Sequence, residues 1–135
     1  MAAGYSSTPQ ARKLGLKPGQ RVFLDNSPTG WHLDEPPAEL IQVGISEPAD
    51  LIISFFTAAA ELPTRLPDLV RRVYPDGALW VAWPRRAGGH TSDITDNVVR
   101  EYALPLGVVD VKIAALDNDW SSQRLVWRLT NRAKK

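Results

Sequence analysis

The loop Trp83-Pro84-Arg85-Arg86-Ala87-Gly88-Gly89-His90 gathers the side chains best suited to chemistry in this chain. The guanidiniums of Arg85 and Arg86, backbone donors around Gly88 and Gly89, Thr91, and a helix start near Asp93 would together suit an anion such as phosphate or carboxylate. The plain alternative is that the arginines are solvated and the glycines turn the chain. His90 is of a residue type that could act as acid or base. It has no nucleophile or carboxylate at motif spacing, and no catalytic residue is assigned. A Gly-x-Ser-x-Gly elbow, a P-loop, paired histidines and an acid dyad are all missing from the sequence. A second group, Asp25, Asn26, Ser27, Ser46 and Thr57, ends predicted strands. In an open α/β sheet such ends border the ligand crevice, although each residue is also ordinary turn chemistry.

The elements that must position these residues follow from patterning. Thr8-Pro9 predicts an N-cap and first turn for a short helix ending before Lys17-Pro18-Gly19. Arg21 to Asp25 reads as a first strand buried on both faces, and Ser27 to Pro37 as a shortened crossover. Leu40 to Ile45 and Asp50 to Thr57 read as the next strands. Leu62, Leu66, Leu69, Val70 and Val73 fall on one helical face, with Pro63 and Pro67 placing the helix start late. Ala78 to Trp83 is a parallel strand reached by a crossover, with Trp80 and Trp83 expected on one core-facing side. Asp93 and Asp96 resemble a capping box for a helix through Tyr102, closed by Pro105 and Gly107. Val108 to Leu116, the turn Asp117-Asn118-Asp119 and Arg124 to Thr130 read as a hairpin whose last strand is antiparallel. Trp120 follows that turn, so an exposed protein contact competes with packing on a neighbour. Residues 1–7 and 131–135 are expected to be flexible.

At 135 residues, with an apolar fraction of 44% and a charged fraction of 23%, the chain matches one globular domain. Formal net charge is +1, too little to favour duplex DNA as a ligand. With no cysteine and two histidines, disulfides, thiolate metal sites and a cysteine nucleophile are excluded, and a histidine metal site is not expected. No apolar run approaches membrane-spanning length, so the default expectation is a cytoplasmic protein without membrane contact.

Several segments carry a family resemblance. The strand and helix from Asp50 onward, the entry Pro75-Asp76-Gly77-Ala78-Leu79-Trp80 and the segment Gly107-Val108-Val109-Asp110-Val111 resemble the second half of S-adenosylmethionine-dependent methyltransferases. Almost the whole chain resembles the DUF3052 family of small bacterial proteins of unknown function. The motifs are Gly4 to Pro9, Lys13 to Gly19, Leu79 to Arg86, Thr91 to Arg100 and Asp117-Asn118-Asp119-Trp120-Ser121. The chain departs from that pattern at Arg85-Arg86, where lysines are usual, at Gly88, where serine is usual, and at Ser122-Gln123.

The resemblance implies a three-layer, methyltransferase-like Rossmann sheet, mostly parallel with an antiparallel last strand and truncated in its first half. In a methyltransferase the first strand delivers an acid and a glycine-rich turn to the cofactor, and the second ends in an acid that holds the ribose. Here Asp25 is followed by Gly30 as the sole nearby glycine, and Gly44-Ile45-Ser46 offers no acid, with Glu47 one residue later in a loop before proline. No cofactor is therefore expected. The leading expectation is a non-catalytic binding or regulatory domain with an anion site. The alternative is a small divergent enzyme, with methyl transfer first among the options, and a third reading uses exposed tryptophan as a partner anchor.

Overall fold

The computed structural model describes residues 9–132. The Thr8 cap, residues 1–7 and the last three positions of the expected flexible tail lie outside them. Asn131 and Arg132, assigned to that tail, are instead tied down: Asn131 Nδ2 donates to the Gly107 carbonyl at 3.0 Å, and Arg132 Nε donates to the Trp127 carbonyl at 3.0 Å.

The elements in chain order are α1 (Gln10–Leu14), β1 (Arg21–Asp25), β2 (Ile41–Gln42), β3 (Leu51–Phe55), α2 (Leu62–Arg72), β4 (Ala78–Pro84), α3 (Asp96–Ala103), β5 (Val108–Ala115) and β6 (Trp120–Trp127). They build one six-stranded sheet in the order β2-β1-β3-β4-β6-β5. Strands β1 to β4 run parallel, and β6 pairs antiparallel with both β4 and β5. This is the expected three-layer arrangement, mostly parallel with an antiparallel last strand. Its first half is truncated: no helix separates β1 from β2, and β2 keeps two residues where six were expected.

Burial on both faces explains the apolar runs. Ile52, Leu79, Val81 and Trp83 pack under α2 and α3, whereas Leu51, Ile53, Phe55, Trp80 and Ala82 pack with Leu14 and Leu16 of the α1 segment. Trp80 and Trp83 therefore lie on opposite faces, not on one. Residues three apart in a period-two strand must diverge. Trp80 is fully buried, and its indole N–H donates to the Leu14 carbonyl at 2.9 Å, which pins α1 to the sheet.

Three boundaries differ from the sequence reading. Helix α2 starts at Leu62 despite its prolines, because Pro63 occupies the first turn, where no N–H partner is required, and Pro67 lies on the exposed face. Helix α3 is capped by Thr95, whose hydroxyl accepts from the Val98 N–H at 3.2 Å, so the Asp93–Asp96 capping box does not form. Strand β6 begins at Trp120 and ends at Trp127, earlier than expected, since it is an interior strand whose polar Ser122 and Gln123 are buried between β4 and β5.

Candidate functional site

Strand order reverses between β1 and β3, so the crevice beyond their carboxyl ends is where an open α/β sheet takes a ligand. Asp25 closes β1 directly beside Ser54 of β3. Its Oδ2 accepts from the Ser54 hydroxyl at 2.6 Å and from Arg65 Nη2 at 2.5 Å. Arg65 Nη1 donates to the Phe55 carbonyl at 3.0 Å and to Glu61 Oε1 at 2.7 Å, while the guanidinium lies 3.9 Å from the Phe56 ring centre. Asn26, at a φ of 57°, donates its amide to the same Phe55 carbonyl at 3.2 Å. Helix α2 thus places a cation at the carboxyl ends of β1 and β3.

Glu61 continues this network. Its Oε2 accepts from the Thr57 N–H at 3.1 Å, the Thr57 hydroxyl at 3.0 Å and the Ala58 N–H at 3.0 Å. Burial alone would raise its pKa, but these three donors and Arg65 together hold the carboxyl below its ordinary range. Asp25, Asn26 and Thr57 are therefore brought together, bound into a network that also contains Arg65 and Glu61. Ser27 stays exposed in the turn beyond it. Sequence reading missed Arg65. The Glu61–Arg65 spacing of four residues was a usable signal for their mutual ion pair, but nothing local indicates that the guanidinium also reaches Asp25.

The arginine loop is zipped onto the β5–β6 turn. The Arg85 N–H donates to the Asp119 carbonyl at 2.8 Å, and a Cβ added at Gly88 would stand 2.0 Å from the Asn118 carbonyl oxygen, which is why glycine is needed there. The N–H groups of Gly88 and Gly89 donate to the Arg85 and Arg86 carbonyls at 3.1 and 3.0 Å. The backbone donors expected to hold an anion are thus engaged in the loop's own turn. The two guanidiniums also part company. Arg86 lines a cavity of about 210 Å³ with Ser92, Thr95, Asp96 and Ser121 at the start of α3, whereas the charge of Arg85 acts on Lys13, on the α1 face. Thr91 is exposed. Asp93 turns away from α3 and accepts from the Ala59 N–H at 2.9 Å.

His90 has a partner that the sequence hid, because it lies 29 residues away: Nε2 stands 2.9 Å from Asp119 Oδ1. This pair borders a second cavity, of about 200 Å³, with Thr57, Pro84 and Trp120. Trp120 is not a turn residue presented to solvent. It opens β6, is half-buried, and packs edge-on against Phe55 with ring centres 4.9 Å apart. Asp117 fixes the turn before it, accepting from the Asp119 and Trp120 N–H groups at 2.8 and 2.9 Å and from the Trp31 indole at 2.9 Å. Among the described residues no group of three or more His, Asp or Glu is placed to hold a metal ion, and no helix is long and apolar enough to cross a membrane.

No family model matches the chain, and no curated protein matches it. Solved structures do. The chain is similar to LepI in complex with SAM (TM-score 0.51), to a LepI variant in complex with SAH and a substrate analogue (0.51), and to a structure described as a pericyclic reaction enzyme (0.52). Each is 11% identical in sequence, and the match covers 87% of this chain and 39% of the other. The fold is accordingly the methyltransferase-like Rossmann class, carried by a chain that spans well under half the length of these neighbours.

Proposed function

We propose that this protein is a non-catalytic binding or regulatory domain built on a methyltransferase scaffold whose cofactor crevice has been closed. The observation that carries this reading is the Asp25–Ser54–Arg65 cluster at the strand-order reversal, where the carboxylate is neutralised from within. A ligand carboxylate or ribose approaching β1 would have to displace a guanidinium held by Asp25, Glu61, Ser54 and the Phe55 carbonyl. The surviving ligand position in this reading is the cavity at Arg86 and the α3 start, suited to a small anion. Sulfate or phosphate should then protect the wild type thermally, with the protection lost in Arg86→Gln. The motifs quoted above support, in the same reading, a relation to the DUF3052 family.

A divergent enzyme is the second reading, and the His90–Asp119 pair beside Thr57 and Trp120 is what favours it, as do the SAM and SAH named for the LepI complexes. Calorimetric titration with S-adenosylmethionine separates the two. The binding-domain reading expects no saturable heat at sub-millimolar cofactor. Saturable binding in the low micromolar range would overturn it in favour of the enzyme.

A further inference from the structure

We propose that the α1 face of the sheet carries a second ligand site, a cationic bowl that takes a linked polyphosphate. A cavity of about 380 Å³ there is lined by Arg12, Lys13 and Lys17 of the α1 segment, Lys112 of β5 and Arg124 of β6, with Asp76 as the one carboxylate in its wall among the described residues. Five cations against one carboxylate give the bowl a formal +4, and since the whole chain is +1, the remainder carries −3. The ion pairs among the described residues use Arg21, Arg65, Arg71, His90 and Arg100, and none of them neutralises Arg12, Lys17, Lys112 or Arg124.

The fold holds this charge together by force. Lys112 and Arg124 are register partners on adjacent strands, an arrangement of like charges that destabilises a sheet. Lys112 Nζ donates to the Lys13 carbonyl at 3.1 Å and the Trp80 indole to the Leu14 carbonyl at 2.9 Å, fixing α1 over the same spot. Arg124 Nε is buried with no hydrogen-bond partner. Lys13 as a residue is largely covered, and its pKa lies below the ordinary lysine value, through partial burial first and then repulsion from Lys112 and Arg85. Packing alone gives no reason to concentrate cations here, whereas an anion in the cavity offsets their mutual repulsion.

The chemistry narrows the ligand. One monovalent anion leaves most of the charge uncompensated, while linked phosphates supply several negative charges and the oxygen pairs that a guanidinium grips bidentately. Among the described residues no aromatic side chain lines the bowl to stack a base, so the phosphates are what these residues read. This site is on the opposite side from the Arg86 cavity and does not depend on whether the crevice binds S-adenosylmethionine.

The test is calorimetric titration of the full chain with pyrophosphate at fixed ionic strength. Saturable binding is expected, at least tenfold weaker in the double variant Arg12→Gln with Lys112→Gln, both exposed positions, and unchanged in Arg86→Gln. Inorganic monophosphate should bind at least tenfold more weakly than pyrophosphate. Equal pyrophosphate affinity in the double variant and wild type, or monophosphate matching pyrophosphate, would overturn the proposal. An ADP titration identifies the source: affinity equal to that of pyrophosphate assigns free oligophosphate, and tighter binding assigns the phosphates of a nucleotide, either result supporting the bowl.

Discussion

Arg65 decides the character of the crevice through one side chain. It and Asp25 are mostly shielded, at 22% and 18% side-chain exposure, so removing the guanidinium leaves a carboxylate with the Ser54 hydroxyl as its remaining partner. Arg65→Met should therefore destabilise by about 2 to 3 kcal/mol, somewhat less than the loss typical of a fully buried pair, read as a shift in urea midpoint. Glu61 adds a pH dependence whose sign is fixed by its lowered folded-state pKa. Its stabilisation is complete above the unfolded carboxyl value of about 4.3 and is lost as pH falls through the lower folded value. Urea midpoints measured between pH 6 and pH 3 should fall less steeply in Glu61→Gln than in wild type. Gly88 is the third decisive residue. With a backbone carbonyl oxygen 2.0 Å from where its Cβ would stand, Gly88→Ala must separate the arginine loop from the β5–β6 turn, at about 1 to 3 kcal/mol.

At the scale of elements, α1 is a five-residue clamp and β6 the strand that completes the core. Trp80 joins the two, fully buried beneath α1, so Trp80→Ala should cost about 3 to 5 kcal/mol in a urea melt. Trp120→Ala should cost less, since that ring is half-buried and its edge-on contact with Phe55 is worth about 0.5 to 1.5 kcal/mol beyond area burial. Equal losses would mean that the start of β6 is as essential to the core as its centre. Much of this architecture was legible in the residues: the apolar run of β3, interrupted at Ser54, and the strand–helix–strand unit from Leu51 to Pro84 read directly. The start of β6 did not, because Ser121-Ser122-Gln123 has the composition of a turn and becomes strand through pairing on both sides. Asp93 was misread for a related reason. A carboxylate three residues before an acid looks like a cap locally, and the Ala59 N–H that claims it lies 34 residues away. The crevice itself was half legible. Asp25 at the end of β1 followed from the strand pattern, but its neutralisation by Arg65, 40 residues on, belongs to tertiary structure.

For the whole molecule, the cluster of cations at the cavity beside α1 predicts ligand affinity there that falls steeply with salt. The sheet itself is uneven. At its centre, β3 is buried along its whole length between two partner strands, while β2 hangs on β1 by the register pairs Arg21–Ile41 and Val22–Gln42, with both its residues exposed. Local opening free energy scales with such differences in burial and pairing. The amides of Ile41 and Val43, which bond to the Gln20 and Val22 carbonyls at 2.8 and 3.0 Å, should exchange with solvent deuterons far sooner than those of β3 and β4, which wait for global unfolding. The sheet is thus a gradient of lifetimes, shortest at the β2 edge, which opens to solvent while the centre stays paired.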